Sequence, residues 1–402
     1  MKILGLNSAD IIGGAARAAF RLHHGLREID VDTELMVQLK LSEHSWVLGS
    51  DSHAGKAMGI FRREVEQYAL NLFTGRESAT PFNIQVLPDF LADDVNEYGA
   101  DIVHLHWICA GFIRIETLAK FDPPIIWTMH DMWPFTGGCH YSGDCEKYRL
   151  ACGRCPQLDS EKERDTSHWI LKRKRKNWRG LDIHLVSPSR WLAECAGKSA
   201  LFGDLPMEVI PNGLDLDVYK PMDRPAMRAA LGLDPHRKYV LFSAMTGVSD
   251  RRKGFDLLIE ALEKLAALNW HDLELIVPGA TRTADMPDLG LPVHYLGRLH
   301  DDLSMAICYN AADVFIAPSR QDNLPNTVME AMACGTPCAA FGVGGMPDMI
   351  EHLTTGYLAQ PFDVDDLAQG VSWLLESTDR DVIMSNARAK AEAEFGLGVA
   401  AG

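Results

Sequence analysis

Short apolar runs alternate with amphipathic or polar stretches along nearly the whole of this chain. In the first half the runs fall at 2–6, 33–37, 102–105, 125–129 and 183–187. After a break at 201–206 the rhythm restarts at 207–210, 239–243, 273–277, 293–296, 314–317 and 338–341. A strand buried on both faces is continuously apolar, and a helical crossover returns the chain in parallel. The alternation therefore predicts an α/β fold of parallel sheets covered by helices. The break sets the expected domains at 1–203 and 204–383, both Rossmann-like, with a terminal segment at 384–402. Between 255 and 268, Leu257, Leu258, Ala261, Leu262 and Leu265 recur at helical spacing and predict a helix with one buried face. Two such domains facing each other would receive ligands in a cleft at the carboxyl ends of their strands.

Candidate chemistry gathers at those strand ends. After the run at 314–317, residues 322–326 read as an exit loop and 327–334 as a helix stopped by Gly335 and Pro337. Free N–H groups at such a helix start hold phosphate. Glu330, about one turn inside, would reach ribose hydroxyls, and Asp322 stands on the strand side where a sugar ring would rest. A helix with acidic residues near its first turn is the plainer alternative. Lys253 precedes Gly254 at a helix start and reads either as a diphosphate-holding ammonium or as a solvated lysine. Gly13 and Gly14 follow the first strand. They offer close backbone approach to phosphate or sugar, or only a tight turn, since Gly-x-Gly-x-x-Gly is absent. Asp215 and Asp217 receive no metal.

Composition narrows the classes. With 402 residues, 47% of them hydrophobic, the chain is long enough for two cores. A net charge of -16 argues against a nucleic-acid coat, which needs clustered cations. No signal-like opening and no apolar run of about 18 residues predict a soluble, cytoplasmic protein. Cys139, Cys145, Cys152 and Cys155 form C-x5-C-x6-C-x2-C with His140 beside the first. That pattern suits a structural zinc site bracing the loop after His130, with free buried thiols and disulfides as alternatives. His104 and His106 share a strand face without an evident third ligand and read as structural or acceptor-side. Residues 172–179, flanked by Trp169, Ile170 and Leu171, form the one basic concentration. It reads equally as a helix for an anionic membrane surface, on the inner face of the plasma membrane, or as a solvated helix face.

With Asp322, Asn323, Leu324, Pro325, Asn326, Thr327 and Glu330 in view, the chain resembles glycosyltransferase family 4, retaining enzymes of the two-domain GT-B fold. Asp-x7-Glu stands where most members carry Glu-x7-Glu. The likeness extends to Ile-Pro-Asn-Gly-Leu-Asp at 210–215, to Arg-Lys-Gly-Phe-Asp-Leu-Leu at 252–258, to Thr-Met-His-Asp at 128–131 and to Gly13-Gly14, nearly the whole chain. The wording at 321–327 and 131–140 looks like the branch that builds bacterial exopolysaccharides of the colanic-acid type.

The resemblance implies transfer of a hexose from a UDP- or GDP-sugar to a hydroxyl of a glycan or lipid-linked acceptor, without a catalytic metal. It implies retention by front-face attack, the leaving phosphate taking the acceptor proton. By the same likeness, Arg252 and Lys253 stabilise the diphosphate, Asp322 holds sugar hydroxyls, and His130 orients the sugar and supports the transition state. Gly13, Gly14, Asn323, Leu324, Asn326, Thr327 and Glu330 would line the donor. Two departures stand out: Gly247 and Val248 occupy the places of a usual arginine, and the segment 384–402 reads as a shortened form of a helix that returns to the first domain. A nucleotide-sugar epimerase of the same architecture and a non-catalytic nucleotide-sugar-binding protein are the rival readings.

Overall fold

The computed structural model describes residues 1–50, 52–74, 81–243, 250–268, 270–282, 287–299 and 301–402. The chain divides into two compact units, Met1–Gly213 with Ala400–Gly402, and Leu214–Val399. The departure at Gly247 and Val248 lies outside the described residues.

In the first unit seven strands run parallel in the order β3-β2-β1-β4-β5-β6-β7. They are β1 (Lys2–Ala9), β2 (Asp32–Leu39), β3 (Val47–Leu48), β4 (Ile102–Leu105), β5 (Ile125–Thr128), β6 (Ile183–Ser187) and β7 (Met207–Val209). The helices are α1 (Gly14–Glu28), α2 (His53–Thr74), α3 (Leu91–Tyr98), α4 (Thr166–Trp178) and α5 (Arg190–Gly197). Strand order reverses between β1 and β4, which opens the position where a doubly wound sheet receives ligands. The core is rich in aromatic rings: Trp127, Trp133, Phe135, Trp178 and Phe202 are buried together, and Trp127 meets Trp178 edge-on at 5.1 Å.

That cluster moves the expected domain boundary. Phe202 lies inside the first core, so 201–206 is not a linker. The run at 207–210, expected to open the second sheet, pairs with the first as β7, Leu185 opposite Met207. An apolar run states that a strand forms, and only the fixed partner states in which sheet.

The second unit holds six parallel strands in the order β10-β9-β8-β11-β12-β13. They are β8 (Lys238–Leu241), β9 (Leu273–Val277), β10 (Val293–Tyr295), β11 (Val314–Ala317), β12 (Cys338–Phe341) and β13 (Gly356–Ala359). Its helices are α6 (Arg224–Ala230), α7 (Phe255–Ala267), α8 (Asp302–Ala311), α9 (Asn326–Ala333), α10 (Met346–Met349), α11 (Val364–Glu376) and α12 (Arg380–Glu394), and α13 (Leu397–Ala401) closes the chain. Along β11, Val314 and Ile316 pack into one core with α7 and α11. Phe315 and Ala317 pack into the other, with α8, α9 and α12. A strand covered on both sides has no polar face, which is why it reads as a continuous apolar run.

Neither β3, two residues long, nor β13, which begins at a glycine, carries an apolar run long enough to predict. The expected terminal segment is also corrected. Position 384 falls inside α12, whose Ala387 and Ala391 are buried in the second core. Arg388 donates to the Ala333 carbonyl at 2.8 Å, at the end of α9, and Leu214 N–H donates to the Phe395 carbonyl at 2.7 Å. Among the described residues no helix is long and apolar enough to cross a membrane.

Candidate active site

In the second unit β8 and β11 are neighbours at the switch in strand order, and the candidate residues stand at their carboxyl ends. A single helical turn, Arg251–Lys253, ends at Gly254, which caps α7. The exit loop of β11 packs directly against it. Gly254 adopts φ 67, and a Cβ there would stand 2.0 Å from the Pro318 carbonyl oxygen. Arg320 N–H donates to the Arg252 carbonyl at 2.8 Å, and its guanidinium grips Asp256 with two bonds of 2.5 and 2.7 Å.

These contacts fix an ionic cluster. Lys253 Nζ donates to Asp322 Oδ2 at 2.5 Å, and Arg252 Nη1 lies 3.2 Å from Oδ1. Arg252 is steadied from its other side by Asp250 at 3.0 Å. Burial pushes the Asp322 pKa up, but the Lys253 and Arg252 charges and the Asn323 N–H outweigh it, so the carboxyl stays below its ordinary value. Asp322 is thus ionised at neutral pH and holds two cations side by side. The sequence reading gave it to sugar hydroxyls, and here the cations occupy both of its oxygens. A second close approach seals the loop, since a Cβ on Gly344 would stand 2.0 Å from the Asp322 carbonyl oxygen, which accepts from Gly345 N–H at 3.0 Å.

Beyond Asp322, Asn323 and Leu324 are buried, Asn326 and Thr327 are half-buried, and Pro325 caps α9. Glu330 lies one turn into α9, buried, its Oε2 accepting from the Tyr309 hydroxyl at 2.9 Å. Lys253, Arg252 and Asp322 are therefore brought together, with the start of α9 next in the chain.

In the first unit the candidates also stand at strand exits. Gly13 (φ 91), which precedes α1, and Gly14, which opens it, are exposed, with open space where a Cβ of Gly13 would be. Asp10, fully buried just before them, accepts from the N–H groups of Ile11, Leu41 and Ser42 at 2.7 to 3.1 Å and pins this loop to the exit of β2. His130 leaves β5, and burial lowers its pKa to about 4, so the ring is neutral at pH 7. Its Nε2 lies 3.2 Å from Nδ1 of His106, whose Nε2 lies 3.2 Å from Nε2 of His23. His23 Nδ1 bonds Thr33 Oγ1 at 2.7 Å, and His104 Nε2 bonds Thr128 Oγ1 at 2.8 Å.

The third partner for His104 and His106 is therefore His23, from α1, and the ligand atoms of the three lie within 4.8 Å of one another. Each ring already has a hydrogen-bond partner, and burial holds all three pKa values below the ordinary range. His23, His106 and His130 thus form a hydrogen-bonded chain of rings, with His104 packed against His106 at 4.3 Å between ring centroids. The neighbouring Asp131 accepts from Trp107 Nε1 at 2.9 Å and pairs with His140 Nδ1 at 2.7 Å, while His140 Nε2 meets Asn83 Oδ1 at 2.7 Å, so both nitrogens of that ring are engaged.

Residues 12–218, just over half of the chain, match the family profile described as Glycosyltransferase Family 4. The chain belongs to glycosyltransferase family 4. Residues 237–377 match the profile described as Glycosyl transferases group 1. The D-inositol 3-phosphate glycosyltransferase of Mycobacterium sp. (strain KMS) is 29% identical over 288 residues, 68% of this chain and 59% of that protein, so this family 4 chain spans about three-fifths of that relative's length. Among solved structures, sucrose-phosphate synthase from Thermosynechococcus elongatus superposes with a TM-score of 0.65 at 19% identity, covering 98% of this chain and 95% of that one. HepE of Anabaena, crystallised with UDP and glucose, gives 0.65 at 18% identity, covering 99% and 96%. With its two parallel-sheet units, this family 4 chain has the GT-B fold.

The basic run of this family 4 member is only partly on the surface. In α4, Lys174 is fully buried, and Arg173 binds Glu116 and the carbonyls of Ile84 and Gln85. Ile170 and Leu171 are buried, so the apolar side expected to meet a membrane faces the protein interior. His23, Tyr309, Asp10 and Gly344 escaped sequence reading because each acts on a partner at least 20 residues away in the chain. The glycines were the one available signal.

Proposed function

We propose that this chain transfers a hexose from a nucleoside diphosphate sugar to a hydroxyl of a glycan or lipid-linked acceptor, with retention at the anomeric carbon. The observation carrying the reading is the pair Lys253 and Arg252, set side by side on Asp322 at the switch point of the second sheet. A departing diphosphate gains negative charge as the glycosidic bond breaks. Cations fixed beforehand stabilise that charge without reorganising. The amides at the start of α9 add donors, and Glu330 takes the ribose hydroxyls with its carboxylate steadied by Tyr309. Asp322 holds the cations until the diphosphate arrives and then shares itself with the sugar. His130, neutral at pH 7, orients the sugar by a hydrogen bond rather than by charge.

Retention follows in this reading from attack on the face the diphosphate leaves, its oxygen taking the acceptor proton. The wording at 321–327 supports an acceptor in exopolysaccharide synthesis. Trp169, Lys172, Arg175, Lys176 and Arg179 remain exposed on one side of α4 and its end, which supports adsorption to an anionic surface through charge alone. Vesicles with and without anionic lipid, pelleted at low and high salt, test that point.

The central test is a thermal-shift screen of UDP-, GDP- and ADP-sugars followed by transfer kinetics. Glu330→Ala is expected to weaken donor binding roughly 10- to 100-fold. Lys253→Ala should slow transfer by about 10²- to 10³-fold with a smaller change in donor affinity. Unchanged kinetics in both variants would refute the assignment. Conversion of donor without any acceptor would favour an epimerase, and donor binding without turnover against any acceptor a binding protein.

A further inference from the structure

We propose that Cys139, Cys145, Cys152 and Cys155 bind one zinc ion through four thiolates, a structural site in the first unit that is independent of the transfer reading. The four cysteines carry no disulfide and line a single pocket, together with Gly137, Lys147 and Tyr148. Spacings of five, six and two residues would rarely bring four thiols to one pocket unless something there gathered them.

The backbone between the last two cysteines is tightly bent. Between Cys152 and Cys155 both Gly153 (φ 143) and Arg154 (φ 42) are left-handed, reversing the chain within two residues. The Cys155 carbonyl accepts from the N–H groups of Leu158 at 3.1 Å and Ser160 at 3.2 Å, which closes the chain back on itself just after the last cysteine. Lys147 Nζ donates to the carbonyls of Gly153 at 3.1 Å and Arg154 at 2.6 Å, fixing the turn and placing a cation at the pocket wall.

The second, separate observation is Lys174. Its ammonium is fully buried, donates to the Trp133 carbonyl and to the Thr136 carbonyl at 3.0 Å, and sits 3.5 Å from the Trp133 ring centroid. Among the described residues no carboxylate stands within ion-pair distance of it. A buried cation needs a compensating charge. Cys109, Cys139, Cys152 and the Asp131 carboxylate are all near enough to interact electrostatically with it. Zinc held by four thiolates carries a net charge of about -2, which would add to the compensation that Asp131 gives this lysine.

Closing the site requires rotation of the cysteine side chains. Among the described residues only His23, His104 and His106 form a group with all ligand atoms within 4.8 Å, and their hydrogen bonds are already satisfied. The zinc would tie the turn at Cys152–Cys155 to Cys139, and so brace the loop that follows His130 and Asp131.

The test is elemental analysis of full-length protein purified without chelators, with cobalt exchange as a second readout. About one zinc per chain is expected, and cobalt should give intense sulfur-to-metal absorption of a tetrahedral centre. Cys145→Ser should lose most of the metal, while Cys195→Ser and His106→Ala keep it. Near-zero zinc in the wild type, with no uptake of zinc or cobalt after reduction, would overturn the proposal. So would full metal content in Cys145→Ser and Cys152→Ser alike, or a mass deficit showing disulfides among these four. Because the cobalt spectrum is read on the wild type, misfolding of a variant leaves the question decidable.

Discussion

At the scale of single residues, Asp322 has two opposed relations to its surroundings. Its burial penalises the charge, and Lys253 and Arg252 restore it, so the three groups are stable only as a set. Asp322→Asn keeps the shape but removes the anion, leaving two cations crowded together. We expect a loss of about 2 to 4 kcal/mol in stability of the second unit, measured by urea denaturation. Added UDP should recover part of that loss, because a diphosphate replaces the missing negative charge. If UDP protects wild type and variant equally, the cations do not face the diphosphate. The motif was readable from the chain because Asp322 and Glu330 sit in one short segment. Lys253 and Arg252, some 70 positions earlier, could be assigned to it only through the family likeness, since no local rule connects a helix start to a distant carboxylate.

Among elements, the decisive contact is between the start of α7 and the exit loop of β11. Their approach is permitted only because Gly254 lacks a side chain and takes a left-handed conformation. Gly254→Ala adds a carbon against the Pro318 carbonyl and strains the backbone. It should cost at least about 2 kcal/mol and reduce transfer more than an alanine placed on the exposed side of α7, such as Glu263→Ala. Equal transfer rates in the two variants would show that this contact does not position Lys253. The predicted helix at 255–268 was found as Phe255–Ala267, with the same five apolar residues buried, because amphipathic spacing is a local property. The basic helix α4 was legible only in part, for the opposite reason. Its composition marks a charged surface, yet Lys174 and Arg173 have partners inside the protein that no helical periodicity discloses.

On the scale of the whole molecule, the two units should respond differently to acid. In the first, His23 and His130 are held neutral, with pKa values of about 3 and 4, and His104 and His106 are likewise depressed, all by burial. Unfolded histidine takes a proton below about pH 6.5, so in the window from there down to about 3 the unfolded chain binds more protons. Stability of the first unit therefore falls as pH drops through that window. The carboxylate of Asp322 works oppositely: its contribution to the second unit is present above its ordinary pKa and is lost only below about 4. Seven of the nine tryptophans lie in the first unit, so their fluorescence reports mainly on it. Lowering pH from 7.5 to 5.5 should shift that transition down by roughly 10 °C, and an unshifted transition would contradict the buried neutral histidines. The α/β class, most of the strands, the helix at 255–268 and the Asp322 to Glu330 segment follow from the chain alone, because periodicity, strand-exit loops and helix starts are set by neighbours in sequence. Folding alone decided that 207–209 completes the first sheet, that α12 packs against α9, that Asp322 is spanned by two distant cations, and that four cysteines share a pocket beside a buried lysine. Each of those depends on burial and charge shared between residues far apart in sequence, which no local pattern encodes.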